Sequence, residues 1–357
     1  MTDLESQSKF PDQGDECNRV SVGETISLSQ GNGGRLTREL IDNVFVRLSN
    51  SRLLDTRHDA ASLPLNSNVI CMTTDSFTVQ PLEFPGGDIG SLSVNGTVND
   101  LAVAGAKPLY ISTGFIIEEG LPTEVLVRIV KSMWTAAMSA NVDIVTGDTK
   151  VVPKGCGGGI YINTTGIGVD DGFPGMDASL IQPGDHVLVS GPIGDHGVAV
   201  MLARDEFGLS GDIVSDCASV LNLTRELRRL DGVRFMRDPT RGGLATVMHE
   251  LAEDTGLSIS LDESSIPIRP EVESVCEMLG FDPYYLACEG RVVAVVDPNM
   301  SREVLKRWHQ LPHGENAAVI GSIMSQNTGY STVTLLTKLG GSRLLEPLED
   351  DPLPRIC

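Results

Sequence analysis

The sequence is poor in aromatic side chains, at 4% of 357 residues, and poor in positive charge. Its 27 lysines and arginines stand against 48 acids, for a formal net charge of −21. That deficit argues against non-specific binding to nucleic acid or to an anionic membrane, both of which need cationic surfaces. No apolar run is long enough to span a membrane. The first 16 residues are polar and acidic and do not read as a signal peptide. Seven scattered cysteines without a CxxC pair offer neither a disulfide framework nor a zinc cage, and fit a reducing cytosol. Neither GxxxxGK[ST] nor GxGxxG occurs, which disfavours the common nucleotide folds.

What remains is a globular composition, 41% hydrophobic with 38 glycines. The length exceeds what one growing core accommodates, so two domains are expected. Strands and helices intermix in both halves, predicting an α/β (α+β) architecture with mixed sheets and flanking helices. The expected division is a disordered acidic extension over 1–24, domains over 25–172 and 173–340, and a mobile tail over 341–357. No short-period repeat is visible.

Residues 29–35 form a glycine loop containing Gly33 and Gly34, ahead of a helix with Leu36, Leu40, Ile41, Val44, Phe45 and Leu48 on one face. Such a loop either wraps phosphates with its N–H groups or is a plain hinge. Residues 69–74 read as a buried strand with Asp75 at its carboxyl end. A turn over 84–90 carries Asp88. A small-residue helix from about 93 to 105 carries Asn99 and Asp100. A strand over 142–146 runs into Gly147-Asp148-Thr149-Lys150. Further on, Arg237-Asp238-Pro239-Thr240-Arg241-Gly242-Gly243 opens a helix, and Cys288-Glu289-Gly290-Arg291 leads into a strand. Acids at strand ends hold metals or substrates, or else cap the next turn. Asp75, Asp100, Asp148 and Asp238 share this setting. Several hard carboxylates beside glycine loops suit Mg²⁺ bridging a nucleotide triphosphate, which would let so acidic a chain receive ATP.

The chain ends Pro354-Arg355-Ile356-Cys357. The run before it, 345–354, has three prolines and four acids, poor material for a helix or central strand. It reads as an extended arm that could reach about 40 Å and carry a thiol from one site to another.

The runs Thr73-Thr74-Asp75-Ser76-Phe77, Phe84-Pro85-Gly86-Gly87-Asp88-Ile89-Gly90, Gly96-Thr97-Val98-Asn99-Asp100-Leu101-Ala102, Gly147-Asp148-Thr149-Lys150-Val151-Val152 and Arg237-Asp238-Pro239-Thr240-Arg241-Gly242-Gly243, with the terminal Pro-Arg-Ile-Cys, resemble the HypE family of hydrogenase maturation proteins. That family lies in the superfamily of aminoimidazole ribonucleotide synthetase and selenophosphate synthetase. The resemblance runs from about residue 25 to the end. It implies the two-domain aminoimidazole ribonucleotide synthetase-like fold and ATP-dependent dehydration of an S-carboxamide on Cys357 to an S-cyanate. A HypF partner would load the thiol. A HypC–HypD complex would receive the cyanide for the iron of a [NiFe] hydrogenase centre. A homodimer in the cytoplasm is implied, because the superfamily's nucleotide cleft uses a second subunit.

By the same resemblance, Cys357 is the acceptor thiolate. Lys150 stabilises the amide oxygen or the transferring phosphoryl group, unless it is a plain surface lysine. Glu289 takes the amide proton, unless it pairs with Arg291. Asp75, Asp100, Asp148 and Asp238 hold Mg²⁺–ATP. Gly33, Gly34, Asp88, Asn99, Thr149, Gly242 and Gly243 contact the nucleotide, with Asp88 alternatively a loop organiser. Asp195 and His196 either orient a catalytic residue or, for His196, form a satisfied loop histidine. Competing readings are a selenophosphate synthetase, a ribonucleotide cyclo-ligase, and a noncatalytic nucleotide-binding scaffold. The first expects a reactive cysteine just before the glycine loop, where Ser29-Gln30-Gly31 stands here. The second leaves Cys357 without a purpose. The third would keep the nucleotide ligands but show no Cys357-dependent turnover.

Overall fold

The structure, a computed structural model, describes residues 23–31, 35–49, 51, 53–54, 63–65, 69–170, 176–205, 208–326 and 329–348. Gly33, Gly34, Cys17 and the terminal Cys357 lie outside the described residues, as do residues 1–22 of the extension.

The first half begins with α1 (Arg35–Leu40), which continues as a π-helical stretch, Ile41–Val46, and turns Leu40 and Val44 into the core. There follow β1 (Ile70–Phe77), β2 (Glu83–Phe84), β3 (Gly87–Asp88), α2 (Ile89–Val103), β4 (Ala106–Glu118), α3 (Thr123–Ala140), β5 (Asp143–Val152) and β6 (Ile160–Asp170). Among the described residues, a four-stranded sheet has the order β1-β6-β4-β5. β6 is antiparallel to β1 and β4, and β5 is parallel to β4. A parallel pair needs a crossover, and α3 supplies it. Its Ile129, Met133, Trp134 and Ala137 recur at helical spacing and are buried. α2 is buried on almost every side, so its small residues are a packing requirement. At Gly90 an added methyl would lie 2.2 Å from the carbonyl oxygen of Ile129, so glycine sets the α2–α3 approach.

The second half holds β7 (His186–Val189), α4 (Asp195–Ala203), α5 (Leu221–Arg228), β8 (Val233–Arg237), α6 (Gly243–Thr255), β9 (Ser258–Asp262), α7 (Pro270–Leu279), β10 (Val293–Val296), α8 (Ser301–Trp308), β11 (Ala318–Met324), β12 (Val333–Leu336) and β13 (Ser342–Leu344). A seven-stranded sheet among the described residues has the order β13-β12-β9-β11-β7-β10-β8, antiparallel except for β12 beside β9. The continuous valine and leucine runs of β7 and β10 suit their central places, covered on both faces. One apolar core runs from the first sheet through α2 to α4, α5 and α8. A second lies between the other face of the large sheet and α6.

The mixed α/β architecture matches the expectation, and several boundaries differ from it. Asp75 lies inside β1, opposite Thr164 of β6, rather than at a strand end. Gly147 to Lys150 likewise continue β5, paired with β4 from Thr113 to Ile116. Asp88, expected in a turn, closes the two-residue β3 and caps α2. Residues 342–344, expected within the mobile tail, form the edge strand β13. The reason is a seat for the next residue: Leu345 is buried, its N–H bonds to Val333 O at 2.9 Å, and its carbonyl accepts from His249 Nε2 at 2.7 Å.

Candidate active site

Three elements distant in sequence bring carboxyl groups together. Alternation along β1 puts Thr73 and Asp75 on one face, against α2. Thr73 Oγ1 donates to Asp100 Oδ2 at 2.7 Å, and the Asp75 and Asp100 carboxyls are hydrogen-bonded to each other. Burial, followed by the neighbouring charge of Asp100, pushes Asp75 up to about 6. Asp238, on the turn after β8, is buried and is pushed up to about 7, first by burial and then by Asp100 and Asp75. Glu289 is 3% exposed. Burial raises it well above the carboxylate range, and the charges of Asp238, Asp216, Asp75 and Asp100 add to the effect. Like charges crowded out of water favour the protonated form or an added cation.

The residues present fit a divalent cation. Asp238 Oδ2 is buried without a hydrogen-bond partner. Asp75 and Asp100 share a hydrogen bond between two carboxyls, an arrangement that a cation relieves by displacing the proton. Among the described residues, no three acidic, histidine or cysteine side chains already converge as a closed ligand set. Three of the four acids expected from sequence to hold metal, Asp75, Asp100 and Asp238, therefore form one electrostatic group.

Asp148 stands apart from that group. It is exposed on β5, where Lys150 Nζ lies 3.0 Å from Asp148 Oδ2 and the lysine holds the carboxyl below its ordinary range. Thr149, between them, points to the buried side of the strand. Asp88 is the N-cap of α2, accepting from Ser91 N–H at 2.8 Å while Ser91 Oγ accepts from Asp88 N–H at 3.0 Å. This reciprocal box is the loop-organising alternative for Asp88. Gly242 and Gly243 have φ of +74° and +60°, and a methyl on Gly243 would lie 2.5 Å from Leu286 O. The turn thus presses onto the segment that leads to Glu289. Asn99 spends its side chain on protein backbone, accepting from Val220 N–H at 2.8 Å and donating to Ala218 O at 3.0 Å and Glu289 O at 3.3 Å.

Arg291 is committed elsewhere than to Glu289. It reaches Asp195 and Asp216 and donates to Pro192 O at 2.8 Å. His196 is buried, with Nδ1 2.9 Å from Ser215 Oγ and its ring edge-on to Phe84. Asp195 pairs with Arg269 and Arg291. Cys288 is buried with Gly194 N–H on its sulfur at 3.3 Å. Sequence reasoning missed Asp216 and Cys217. Asp216 accepts from Glu289 N–H, and the Cys217 thiol is pushed up to about 12 by burial and then by Glu289. Nothing in a polar loop sequence distinguishes them; only the folded contact does.

The chain matches the family profile of the AIR synthase related protein N-terminal domain over residues 57–169 and that of the AIR synthase related protein C-terminal domain over 182–334. It is 43% identical over 334 residues to the carbamoyl dehydratase HypE of Azotobacter vinelandii, covering 93% of this chain and 97% of the relative. Among solved structures, a hydrogenase maturation protein HypE in complex with ATP is 44% identical, with a TM-score of 0.87 over 93% of this chain and 100% of the other. A HypE–HypF complex superposes with a TM-score of 0.75 at 44% identity, over 86% of this chain and 99% of the other.

Proposed function

The chain belongs to the HypE family of carbamoyl dehydratases, and from that premise we propose how its residues carry out ATP-dependent dehydration of an S-carboxamide to an S-cyanate in hydrogenase maturation. The observation that carries the assignment of roles is the meeting of buried Glu289 with Asp75, Asp100 and Asp238.

Cys357 is the sulfur that bears the carboxamide. The amide oxygen attacks the γ-phosphorus of ATP and ADP leaves. The C–O bond then breaks, phosphate departs with the amide oxygen, both N–H protons are lost, and the C≡N bond forms on the same sulfur. The sum is thiocarbamate plus ATP giving thiocyanate, ADP and phosphate, so the elements of water end in the phosphate. Glu289 takes an amide proton in its ionised form, and burial beside other acids gives that carboxylate the proton affinity that suits a weakly acidic N–H. Lys150 faces the oxygen or the transferring phosphoryl group with its charge. Asp75, Asp100 and Asp238 would hold Mg²⁺, which when bound would neutralise phosphate charge; Asp148, on β5 at the opposite edge of the sheet from β1, is assigned to the same ion set as a separate ligand. Thr149, Asp88, Gly33, Gly34, Gly242 and Gly243 are assigned to the nucleotide's surroundings.

Residues 25–172 form the ATP-binding and dimerisation unit, residues 173 through β13 the second domain, and the residues that follow carry Cys357. A second copy against the free edge of β1 is supported by exposed Ile70 and Met72, at 53% and 69%. HypF loads the thiol, a HypC–HypD complex takes the cyanide for iron, and the reactions take place in the cytoplasm. Among the described residues no helix is long and apolar enough to cross a membrane.

The test is the intact mass of the C-terminal peptide after incubation with a HypF carbamoyltransferase, carbamoyl phosphate and ATP, beside a Cys357→Ala control. Expected is a carbamoyl gain on Cys357, then ATP-dependent loss of one water. An unmodified Cys357 with ATP consumed would reject it as the acceptor.

A further inference from the structure

The main chain of Glu289 is gripped from two sides. Its N–H donates to Asp216 Oδ1 at 3.1 Å. Its carbonyl receives Asn99 Nδ2 from α2 and the N–H of Ala218, each at 3.3 Å. The same Asn99 amide also binds Ala218 O and Val220 N–H, so one buried side chain on α2 ties residue 289 to the 218–220 segment. The strap before it is held in turn: Ser215 N–H donates to Pro85 O at 2.8 Å and Asn95 Nδ2 to Cys217 Sγ at 3.7 Å. A methyl on Gly290 would lie 1.9 Å from Asp216 O, so the two segments are in direct backbone contact.

Asp216 is anchored at its other oxygen. Arg291 Nε lies 3.3 Å from Oδ2, and this guanidinium also donates to Pro192 O at 2.8 Å and His313 O at 3.2 Å. Its Nη2 is 3.4 Å from Asp195 Oδ2, which Arg269 Nε approaches to 2.9 Å. Burying this chain of charges is costly, and an apolar strap of the same shape would hold the two halves together at least as well. What the polar set adds is a fixed position for one peptide.

We propose that Asn99 and Asp216 are positioning residues: together they fix the Glu289 main chain, one from α2 and one from the strap, so that its carboxyl is held among the acids of β1, α2 and the Asp238 turn. Asn99 adjoins Asp100 on α2, so the base and a cation ligand are referred to one rigid helix. The proposal rests on the reading of Glu289 as the base. A small displacement of a base costs turnover more than it costs nucleotide affinity.

The experiment compares Asp216→Ala, Asp216→Asn, Asn99→Asp and Glu289→Gln in the full-length protein. It measures kcat for dehydration of the HypF-carbamoylated protein, KM for ATP and the melting temperature. For folded Asp216→Ala, a loss of about 30-fold or more in kcat is expected with KM for ATP within about threefold. Asp216→Asn keeps an oxygen toward Glu289 N–H and should recover kcat to within about fivefold of the parent. Asn99→Asp has the parent's shape, loses the amide donor to Glu289 O, and carries the test if Asp216→Ala does not fold; about tenfold lower kcat is expected. Parental kcat in Asp216→Ala or Asn99→Asp, with Glu289→Gln inactive, overturns the positioning role alone. Parental kcat in Glu289→Gln overturns the base and the proposal with it.

Discussion

Lys150 Nζ lies 3.0 Å from Asp148 Oδ2 on the exposed side of β5, two residues apart on one face of the strand. Both side chains are largely in water, so the pair contributes little to stability, about 1 kcal/mol or less. Replacing Lys150 by Ala should leave the melting temperature almost unchanged. Dehydration of carbamoylated Cys357 should fall by about 100-fold or more, the scale expected when a charge facing developing negative charge is removed. Mass spectrometry should still find the carbamoyl group on Cys357, because loading precedes this step. A Lys150→Ala protein with full dehydration would assign the lysine to the surface pair alone.

Asp75 and Asp238 carry raised folded-state values of about 6 and about 7. In the unfolded chain both would titrate near 4. Between these limits the folded protein binds more protons than the unfolded chain, so stability falls as pH rises. The contribution is present below about pH 4 and is lost progressively through pH 6 to 7. Without divalent cations, the melting temperature attributable to these groups should therefore drop between pH 5 and pH 8. Mg²⁺ should raise it more at pH 8 than at pH 5. In Asp238→Asn both effects should shrink; an unchanged pH slope in that variant would remove Asp238 from the account.

Asp88 caps α2 through a reciprocal box with Ser91. Asp88→Ala should cost about 1 kcal/mol, read in a denaturant melt, as for other lost N-caps. The KM for ATP then distinguishes its two roles. An unchanged KM makes Asp88 an organiser of the helix; a rise of about tenfold makes it a nucleotide contact as well.

Gly290 has no room for a side chain, since a methyl would meet Asp216 O at 1.9 Å. Gly290→Ala must separate two backbone segments and should cost about 2–3 kcal/mol, comparable to overpacking a core. It should also move Glu289, so kcat should fall further than the loss of folded protein accounts for. Turnover per folded molecule at the parental level would show that Glu289 tolerates the shift.

Composition alone argued against a membrane-spanning helix and against non-specific nucleic-acid binding, because charge and hydrophobic run length are additive properties of the chain. The motifs around Asp75, Asp88, Asp100, Asp148 and Asp238 and the terminal Cys357 were legible as a family signature. The mixed α/β character was legible too, because periods of two and 3.6 are local. Local reasoning placed Asp75 and Asp148 at strand ends, whereas both lie inside strands whose lengths are set by pairing with β6 and β4. It also gave no reason to choose Asp216, or to see that Asn99 would spend its amide on Glu289.

What the sequence by itself determined is therefore the family and the mixed α/β class, with an expectation of the residues that would bring the chemistry: carboxylates for a cation, a base, a lysine and a thiol. Which carboxyls act on one another was decided only by the tertiary structure. Asp75, Asp100 and Asp238 come from β1, α2 and the turn after β8; burial raises all three, and the neighbouring acids raise Asp75 and Asp238 further. Proton affinity and hydrogen-bond geometry depend on distances of a few ångströms across hundreds of residues, and no local pattern encodes them.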